Sequence, residues 1–202
     1  SVMAKKLFPT IAPYISMAMT PMVLTARLLK KEHKNCKVVF IGPCAAKKLE
    51  ASRRTIRSDV DFVLTFEEVM GMFEARKVEF EAIAGEHLLQ EGTGAGRNFA
   101  VSGGVASAVV DAIHRIDPER EINVMAAQGL EDCRKMLMMA KAGKLNGYLL
   151  EGMACPGGCV AGAGTLANPV KAATAVHKYQ KEAPAQNAMD TKYDITLPLL
   201  HD

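Results

Sequence analysis

Short apolar runs alternate with amphipathic stretches along most of the chain, and this alternation predicts an α/β protein. The predicted strands, all short runs rich in β-branched, aromatic or leucine residues, are 37–41, 61–65, 121–127 and 147–150. The predicted helices, whose apolar residues recur at helical spacing, are 21–34, 44–50, 66–76, 105–116, 130–142 and 170–182. Because helices separate the strands, we expect a mostly parallel sheet flanked by helices.

Local signals refine this outline. The runs at 37–41 and 61–65 are apolar enough to predict buried strands. Thr65 and Glu68 form a capping-box pattern at the start of a helix.

Residues 78–97 are expected to be irregular, and their glycine-rich end lacks the Gly-Lys-Ser/Thr ending of a phosphate-binding loop. We predict one α/β lobe over 1–182 and a loosely packed tail over 183–202.

Composition narrows the class of protein. The chain has 202 residues, of which 49% are hydrophobic and 23% charged, and this composition is typical of a globular protein. The net charge of only +3 and the absence of Trp argue against a nucleic-acid-binding surface. Neither a membrane-spanning run nor a signal-peptide pattern is present, and this predicts a cytoplasmic protein without a membrane span. Five cysteines in a chain of this size favour metal-binding or free thiols over a disulfide framework.

The segment 151–164 carries the strongest chemical signal. Cys155 and Cys159 lie four residues apart in a glycine-rich run, where the backbone can fold closely around a bulky group. Thiolates are soft ligands, which favours an iron-sulfur cluster, zinc or copper(I). The five histidines are scattered, without the paired spacing of a zinc site.

A third cysteine occupies a comparable position. Cys44 follows the predicted strand 37–41, so Cys44, Cys155 and Cys159 are expected at the carboxyl edge of the sheet, where ligands bind in α/β proteins. Lys47 lies one helical turn from Cys44 and could point a cation at an anionic ligand. The alternative is that the three cysteines are ordinary buried apolar residues. Cys36 and Cys133 are interpreted as structural.

Two motifs resemble those of the iron-only hydrogenases. The stretch 42–50, Gly-Pro-Cys-Ala-Ala-Lys-Lys-Leu-Glu, is similar to the second cysteine motif of that family, and 151–159, Glu-Gly-Met-Ala-Cys-Pro-Gly-Gly-Cys, is similar to the third. Segments 8–21 and 102–105 fit the regions around them, so the resemblance covers about 7–165. It implies the C-terminal lobe of the hydrogenase catalytic domain and reversible conversion of protons and electrons to hydrogen.

The resemblance also implies a cofactor and its ligands. Cys44, Cys155 and Cys159 would be three of four thiolates on the 4Fe-4S part of the H-cluster, with Cys159 bridging to a diiron subcluster that carries carbonyl and cyanide. The other implied site residues are Lys47 as donor to a cyanide, Pro43 and Phe99 lining the diiron pocket, Met153 packing beside it, and Ser16 in a proton path. The implied partners are the N-terminal remainder of the polypeptide, a ferredoxin-type electron donor and the hydrogenase maturation proteins.

The sequence departs from the family pattern in three places. The first cysteine motif would lie before Ser1, so we expect a piece of a longer protein whose cluster is absent or incomplete and which is inactive in isolation. Gly42 stands where catalytic enzymes commonly have Met. Residues 160–166 lack the Gly-Gly-Gly-Gln-Pro ending.

These departures keep alternatives open. One is a hydrogen- or redox-sensing regulatory module of the same family. Another is an iron-sulfur assembly factor of the superfamily, which would keep the cysteines without hydrogen chemistry. The third is an α/β domain with incidental cysteines.

Overall fold

A computed structural model of the chain describes residues 2–53, 59–85 and 91–191. Its residues fall into two compact units, which are described separately. Unit 1 comprises Ser1–Met17, Glu91–Ala161 and Pro169–Thr191, and unit 2 comprises Ala18–Gln90, Gly162–Asn168 and Lys192–Asp202.

All predicted helices and strands occur in the predicted order, and two short helices that were not predicted form at Val2–Leu7 and Gly94–Arg97. The α-helices are α1 (Val2–Leu7), α2 (Pro21–Glu32), α3 (Ala46–Ala51), α4 (Phe66–Ala75), α5 (Gly94–Arg97), α6 (Gly104–Ile116), α7 (Leu130–Lys141) and α8 (Pro169–Lys181). The strands are β1 (Val39–Ile41), β2 (Phe62–Leu64), β3 (Asn123–Gln128) and β4 (Tyr148–Met153). Short 3-10 turns lie at Pro9–Tyr14, Phe80–Ala82, Asn98–Ala100, Cys159–Ala161 and Ala188–Asp190.

Both strand pairs are parallel. In unit 2, β1 pairs with β2, with Val39 opposite Phe62 and Ile41 opposite Leu64. In unit 1, β3 pairs with β4 from Asn123 opposite Tyr148 to Gln128 opposite Met153. Parallel neighbours need a crossover, which helices supply in both units, so the predicted α/β class with parallel strands and flanking helices is confirmed.

The prediction that β1 and β2 are buried is wrong for one face of this pair. Val39, Ile41 and Phe62 are 45%, 50% and 59% exposed. Phe40 and Val63 instead pack against the core of unit 2. Side chains of a strand alternate between two faces, and only one face of β1–β2 lies on this core, so a continuous apolar run concealed an alternating burial pattern.

Each unit has its own small core. In unit 2, α2 contributes Met22, Val23 and Ala26, which cluster with Val60. In unit 1, Ala127 at the end of β3 clusters with three residues of α7 and the turn after it: Cys133, Met136 and Leu145. The helix that follows β3 therefore folds back on the strand pair, as in other parallel α/β units.

Two local predictions on irregular segments have different outcomes. The glycine-rich end of 78–97 is not a loop throughout, because Gly94–Arg97 forms α5 and the Thr93 side chain caps it by accepting from Gly96 N. The predicted tail stays a prediction: Gly94 and Ala95 donate backbone hydrogen bonds to Ala185 and Gln186 (2.8 and 2.9 Å), while 192–202 lie outside the described residues.

The predicted capping box is present at the start of α4. Thr65 Oγ1 accepts from Glu68 N (3.2 Å), and Glu68 Oε2 accepts from Thr65 N (2.7 Å). Lys48 also donates to the Glu68 carboxylate, and the hydrogen bonds from Lys48 and from the Thr65 amide lower the pKa of Glu68. The cap satisfies amides that the first helical turn cannot pair internally.

Removing the Thr65 hydroxyl is expected to destabilise unit 2. Thr65→Ala should lower the free energy of unfolding by about 1 kcal/mol, the usual effect of losing an N-cap oxygen. Thr65→Ser also loses the methyl group but keeps the hydroxyl, so it should retain most of that stability. Urea unfolding of the three proteins measures the difference, and equal losses in both variants would contradict a role for the cap.

Candidate cluster-binding site

The residues after β4 form a tight loop, here called the cysteine loop (154–161). It begins one residue beyond Met153 and ends in the 3-10 turn Cys159–Ala161. Gly157 and Gly158 have φ of 91° and 98°, a left-handed conformation that side chains rarely allow. Gly158 N donates to Cys155 O (3.0 Å), so the loop turns back between its two cysteines.

Residues 101–102 bind one side of the cysteine loop through the backbone. Ser102 N donates to Gly157 O (3.1 Å), and Val101 forms an antiparallel bridge with Gly158. A Cβ at position 158 would lie 2.6 Å from Ser102 N. Glycine is therefore required at 158 for two reasons, its dihedral angle and the close approach of another backbone segment.

The loop after β3 binds the other side. Gly129 N donates to Met153 O (2.9 Å). The Gln128 side chain reaches the middle of the cysteine loop, where its Oε1 accepts from Gly157 N (2.6 Å). The loop is thus hydrogen-bonded to two separate segments of unit 1.

Cys133 contacts the backbone of Met153, just before the cysteine loop, and is not a candidate ligand. It is 8% exposed, and its Sγ lies 3.4 Å from Met153 O and 3.5 Å from Ala127 O. Burial, with the nearby Asp132 charge, raises the pKa of the Cys133 thiol. A thiol that ionises less readily is a poorer metal ligand and nucleophile, as expected for a structural cysteine.

Glu151 is the residue whose importance the sequence did not reveal. It lies in β4, is 8% exposed, and accepts two backbone hydrogen bonds, from Gly103 N to Oε1 and from Ala106 N to Oε2, both at 2.6 Å. Gly103 is the N-cap of α6, and no side chain of its own caps that helix. The Glu151 carboxylate, from β4, caps the helix instead, and the helix dipole favours a negative charge at this end.

Cys44 lies in unit 2, between β1 and α3. Gly42 N donates to Leu64 O (3.1 Å), which extends the β1–β2 pairing, and Lys47 N donates to Cys44 O (3.2 Å) at the start of the helix. Pro43 O accepts from Gly164 N (2.9 Å). Cys44 is half-buried at the carboxyl end of a parallel strand, as the sequence predicted.

The glycine at 42 has a local explanation. A Cβ there would lie 2.8 Å from the Phe40 ring, which packs against the core of unit 2. A larger residue at this position would have to displace that ring. A methionine at position 42 would therefore require a different position of the Phe40 ring.

Lys47 is held by a carboxylate one turn further along α3. Its Nζ donates to Glu50 Oε2 (2.7 Å), and Thr20 Oγ1 donates to Glu50 Oε1 (2.5 Å). Burial by itself raises the pKa of Glu50, but the hydrogen bonds from Lys47 and Thr20 outweigh it and keep the pKa below its ordinary value. An ammonium group has three N–H donors, so the bond to Glu50 leaves capacity for another acceptor.

The other predicted site residues are distributed over both units. Met153 ends β4 and directly precedes the cysteine loop, and Phe99 lies in the 3-10 turn just before the bridge at Val101. Ser16 follows the turn Pro9–Tyr14 in unit 1 and is exposed. Unit 1 thus places Cys155 and Cys159 on one loop that directly follows Met153, while Pro43, Cys44 and Lys47 share a segment of unit 2.

The donor chemistry fits an iron-sulfur cluster. All five cysteines belong to the described part of the chain, and none of them is in a disulfide. A Cβ at Gly157 would meet nothing nearer than Ala161 Cβ at 3.9 Å, so there is open space beside this glycine of the loop. No three His, Cys, Asp or Glu side chains among the described residues form a metal-binding group, which leaves the loop as a pair of soft ligands.

Comparison with known proteins identifies the family. The family described as "Iron only hydrogenase large subunit, C-terminal domain" matches residues 1–163. The chain belongs to this family. Cys44, Cys155 and Cys159 all lie within the part of this iron-only hydrogenase domain that matches.

Curated relatives of the domain are of two kinds. The periplasmic Fe hydrogenase large subunit of Nitratidesulfovibrio vulgaris is 27% identical over 207 residues, covering 82% of this chain and 49% of that protein. A cytosolic Fe-S cluster assembly factor of Danio rerio is 28% identical over 202 residues, covering 77% of this chain and 49% of that protein. The chain spans about half the length of these relatives.

Solved structures share the fold. A variant of the FeFe-hydrogenase HydA1 from Chlamydomonas reinhardtii superposes with a TM-score of 0.70 at 19% identity, covering 96% of this chain and 68% of that one. The predicted fold of an iron-only hydrogenase C-terminal lobe is thereby confirmed. No helix in the described part of the domain is long and apolar enough to cross a membrane, and the cytoplasmic location stays a prediction.

The two glycines between the thiols provide a matched pair of substitutions. Gly157→Ala meets open space, so it should lose only the roughly 1–2 kcal/mol that a left-handed Ala costs. Gly158→Ala carries the same dihedral penalty and also collides with the backbone of 100–102, so its loss in the free energy of unfolding should be clearly larger. Chemical unfolding of the metal-free variants tests this order, and equal losses would contradict the close approach.

Proposed function

We propose that this chain holds an iron-sulfur cluster through the thiolates of Cys44, Cys155 and Cys159. The cysteine loop is the observation that carries the proposal. Two thiols flank a glycine turn with open space beside it, at the end of a parallel strand where α/β proteins bind ligands. Thiolates in such a setting are the usual protein ligands of iron-sulfur clusters.

A cluster held by the three thiolates would carry negative charge. Clusters held by thiolates are anionic, and hydrogen bonds to their sulfurs tune the reduction potential. Within the loop, Gly157 N donates to Gln128 Oε1 and Gly158 N donates to Cys155 O, so these two amides maintain the shape of the loop. Cys133 and Cys36 are not assigned as ligands: Cys133 is buried in the core, and Cys36 Sγ lies 3.8 Å from Leu29 O.

The reaction that we propose is reversible conversion of protons and electrons to hydrogen. When bound, the 4Fe-4S cluster and its diiron subcluster would transfer electrons from an external donor and provide the open metal position for the reaction. In this proposal Lys47 donates a hydrogen bond to an anionic diatomic ligand, oriented by its ion pair with Glu50. Pro43 and Phe99 would line the diiron pocket, Met153 would pack beside it, and the Ser16 hydroxyl would take part in a proton path.

The proposed partners follow from the same role. Electrons would come from a ferredoxin-type protein, and the diiron subcluster would come from the hydrogenase maturation proteins. The fourth thiolate would come from the polypeptide that includes this chain. The cytoplasm is the compartment that we propose for this assembly.

A second function is favoured by the relatives. Proteins named cytosolic Fe-S cluster assembly factors match the same chain, including NAR1 of Kluyveromyces lactis, 33% identical over 84 residues that cover 42% of this chain and 18% of that protein. Such a role needs the cluster thiolates but no diiron subcluster. Infrared bands of bound carbon monoxide and cyanide, after expression with the hydrogenase maturation proteins, would support the hydrogenase, whereas a 4Fe-4S cluster without those bands would support assembly.

Anaerobic reconstitution with iron, sulfide and a small-molecule thiol tests cluster binding. We expect the wild-type chain to acquire iron and acid-labile sulfide, and Cys44→Ser, Cys155→Ser and Cys159→Ser each to lose most of both, because serine is a hard, poorly matched ligand. No hydrogen evolution is expected, since inorganic iron and sulfide supply no carbonyl or cyanide.

Cys36→Ser is the matched control. Cys36 is half-buried like the three candidate ligands, and its substitution should leave iron and sulfide content at the wild-type level. Unchanged iron content in Cys155→Ser, or an equal loss in Cys36→Ser, would overturn the ligand assignment.

A further inference from the structure

Glu151 joins strand β4 to the start of α6, beside the cysteine loop. It lies four residues before Cys155, on the strand that delivers the loop. Both of its oxygens are used, by Gly103 N and Ala106 N at 2.6 Å each. Hydrogen bonds to a charged acceptor in a buried site are stronger than neutral ones, so this contact fixes the start of α6 against β4.

The same stretch of backbone then contacts the loop between its two thiols. Ser102, the neighbour of Gly103, donates to Gly157 O, and Val101 bridges to Gly158. The position of 101–103 relative to β4, together with the hydrogen bond from Gly157 N to Gln128, thus sets where Gly157 and Gly158 lie. We propose that Glu151 is a positioning residue for Cys155 and Cys159, acting through 101–103.

The proposal rests on the proposed function only for the identity of the ligand. The geometric part, that Glu151 sets the shape of the loop, concerns the metal-free chain. Toward the cluster, Glu151 would act indirectly, by setting the arrangement of the Cys155 and Cys159 thiols through the backbone of 101–103. Residues that orient metal ligands in this way commonly change metal affinity by about 10–100-fold when they are replaced.

Glutamine is the informative replacement. Glu151→Gln keeps the size of the side chain, but its NH₂ group can accept no hydrogen bond. One of the two amides, Gly103 N or Ala106 N, then loses its acceptor in a buried position. The contact between β4 and the start of α6 is weakened without creating a cavity.

Glu131→Gln is the matched control. Glu131 lies in the first turn of α7, also near a helix N-terminus, but its side chain is 82% exposed and its pair with Lys135 is a surface ion pair. The chemical change is identical, whereas the expected structural effect is small. Any result common to both variants is a general effect of removing one negative charge.

The first measurement uses metal-free protein at a temperature where all three proteins are folded. Backbone amide chemical shifts of Ser102, Gly157, Gly158 and Cys159 are expected to move in Glu151→Gln and to stay in place in Glu131→Gln. If Glu151→Gln is less stable than the wild type but these resonances keep their wild-type positions, Glu151 contributes only to stability and the proposal is overturned.

The second measurement follows cluster loss from reconstituted protein to an iron chelator at the same temperature. Loss should be about tenfold faster in Glu151→Gln than in the wild type and Glu131→Gln. Equal rates would overturn the proposed role toward the ligand. If wild-type protein takes up no iron, the proposed function fails, and the chemical shifts still decide whether Glu151 positions the loop.

A second variant covers the case in which Glu151→Gln does not fold. Glu151→Asp keeps the charge but withdraws the carboxylate by one methylene, so it should fold more readily and give the same changes at reduced size. Wild-type shifts in 101–103 and 157–159 for a folded Glu151→Asp would count against the proposal.

Discussion

The cysteine loop turns on two adjacent glycines and has few large side chains to pack, so its shape depends on where its backbone hydrogen bonds go. In the cysteine loop those bonds go to the protein on both sides: Gly157 O accepts from Ser102 N, and Gly157 N donates to Gln128. A buried backbone group without a partner is costly, so each bond restricts the loop to conformations that keep it. The parallel pair β3–β4 provides the frame, because Gln128 ends β3 and Glu151 of β4 holds the start of α6 next to 101–102.

The contributions to this frame differ in strength. The two bonds to Glu151 are short, charge-assisted and shielded from water, a combination usually stronger than neutral hydrogen bonds of about 1 kcal/mol. Exposed ion pairs such as Lys135–Glu131 contribute little, because water and salt screen them. Lys47 and Glu50 lie between these limits, since both side chains are mostly shielded and Thr20 also donates to the carboxylate.

The sequence predicted what depends on local signals. Thr65 and Glu68 are three residues apart, and their capping box could be read from residue types alone. The positions of Cys44 and Cys155 after strands followed from strand length and from the residues that end each strand. The cysteine motifs themselves were enough to indicate the family that the comparison confirmed.

Interactions between distant residues could not be predicted in this way. Glu151 and Gly103 are separated by 48 positions, and nothing in either segment specifies that pairing. The available signal was an acidic residue in the run Tyr-Leu-Leu-Glu-Gly-Met, because a buried carboxylate needs partners. Exposure of Val39 and Ile41 was missed since burial of a strand face depends on which elements cover it. Family membership does not decide the ligand set, which stays a proposal.

We infer that the protein holds the cysteine loop in shape before any cluster binds. Amide hydrogen exchange of the metal-free wild-type chain at Ser102, Gly103, Ala106 and Gly157 measures whether it does. We predict that all four amides, whose acceptors are Gly157 O, Glu151 or Gln128, exchange at least about a hundredfold more slowly than in an unstructured peptide. Exchange at unstructured rates for these amides, with the strand amides of β3 and β4 still protected, would contradict it.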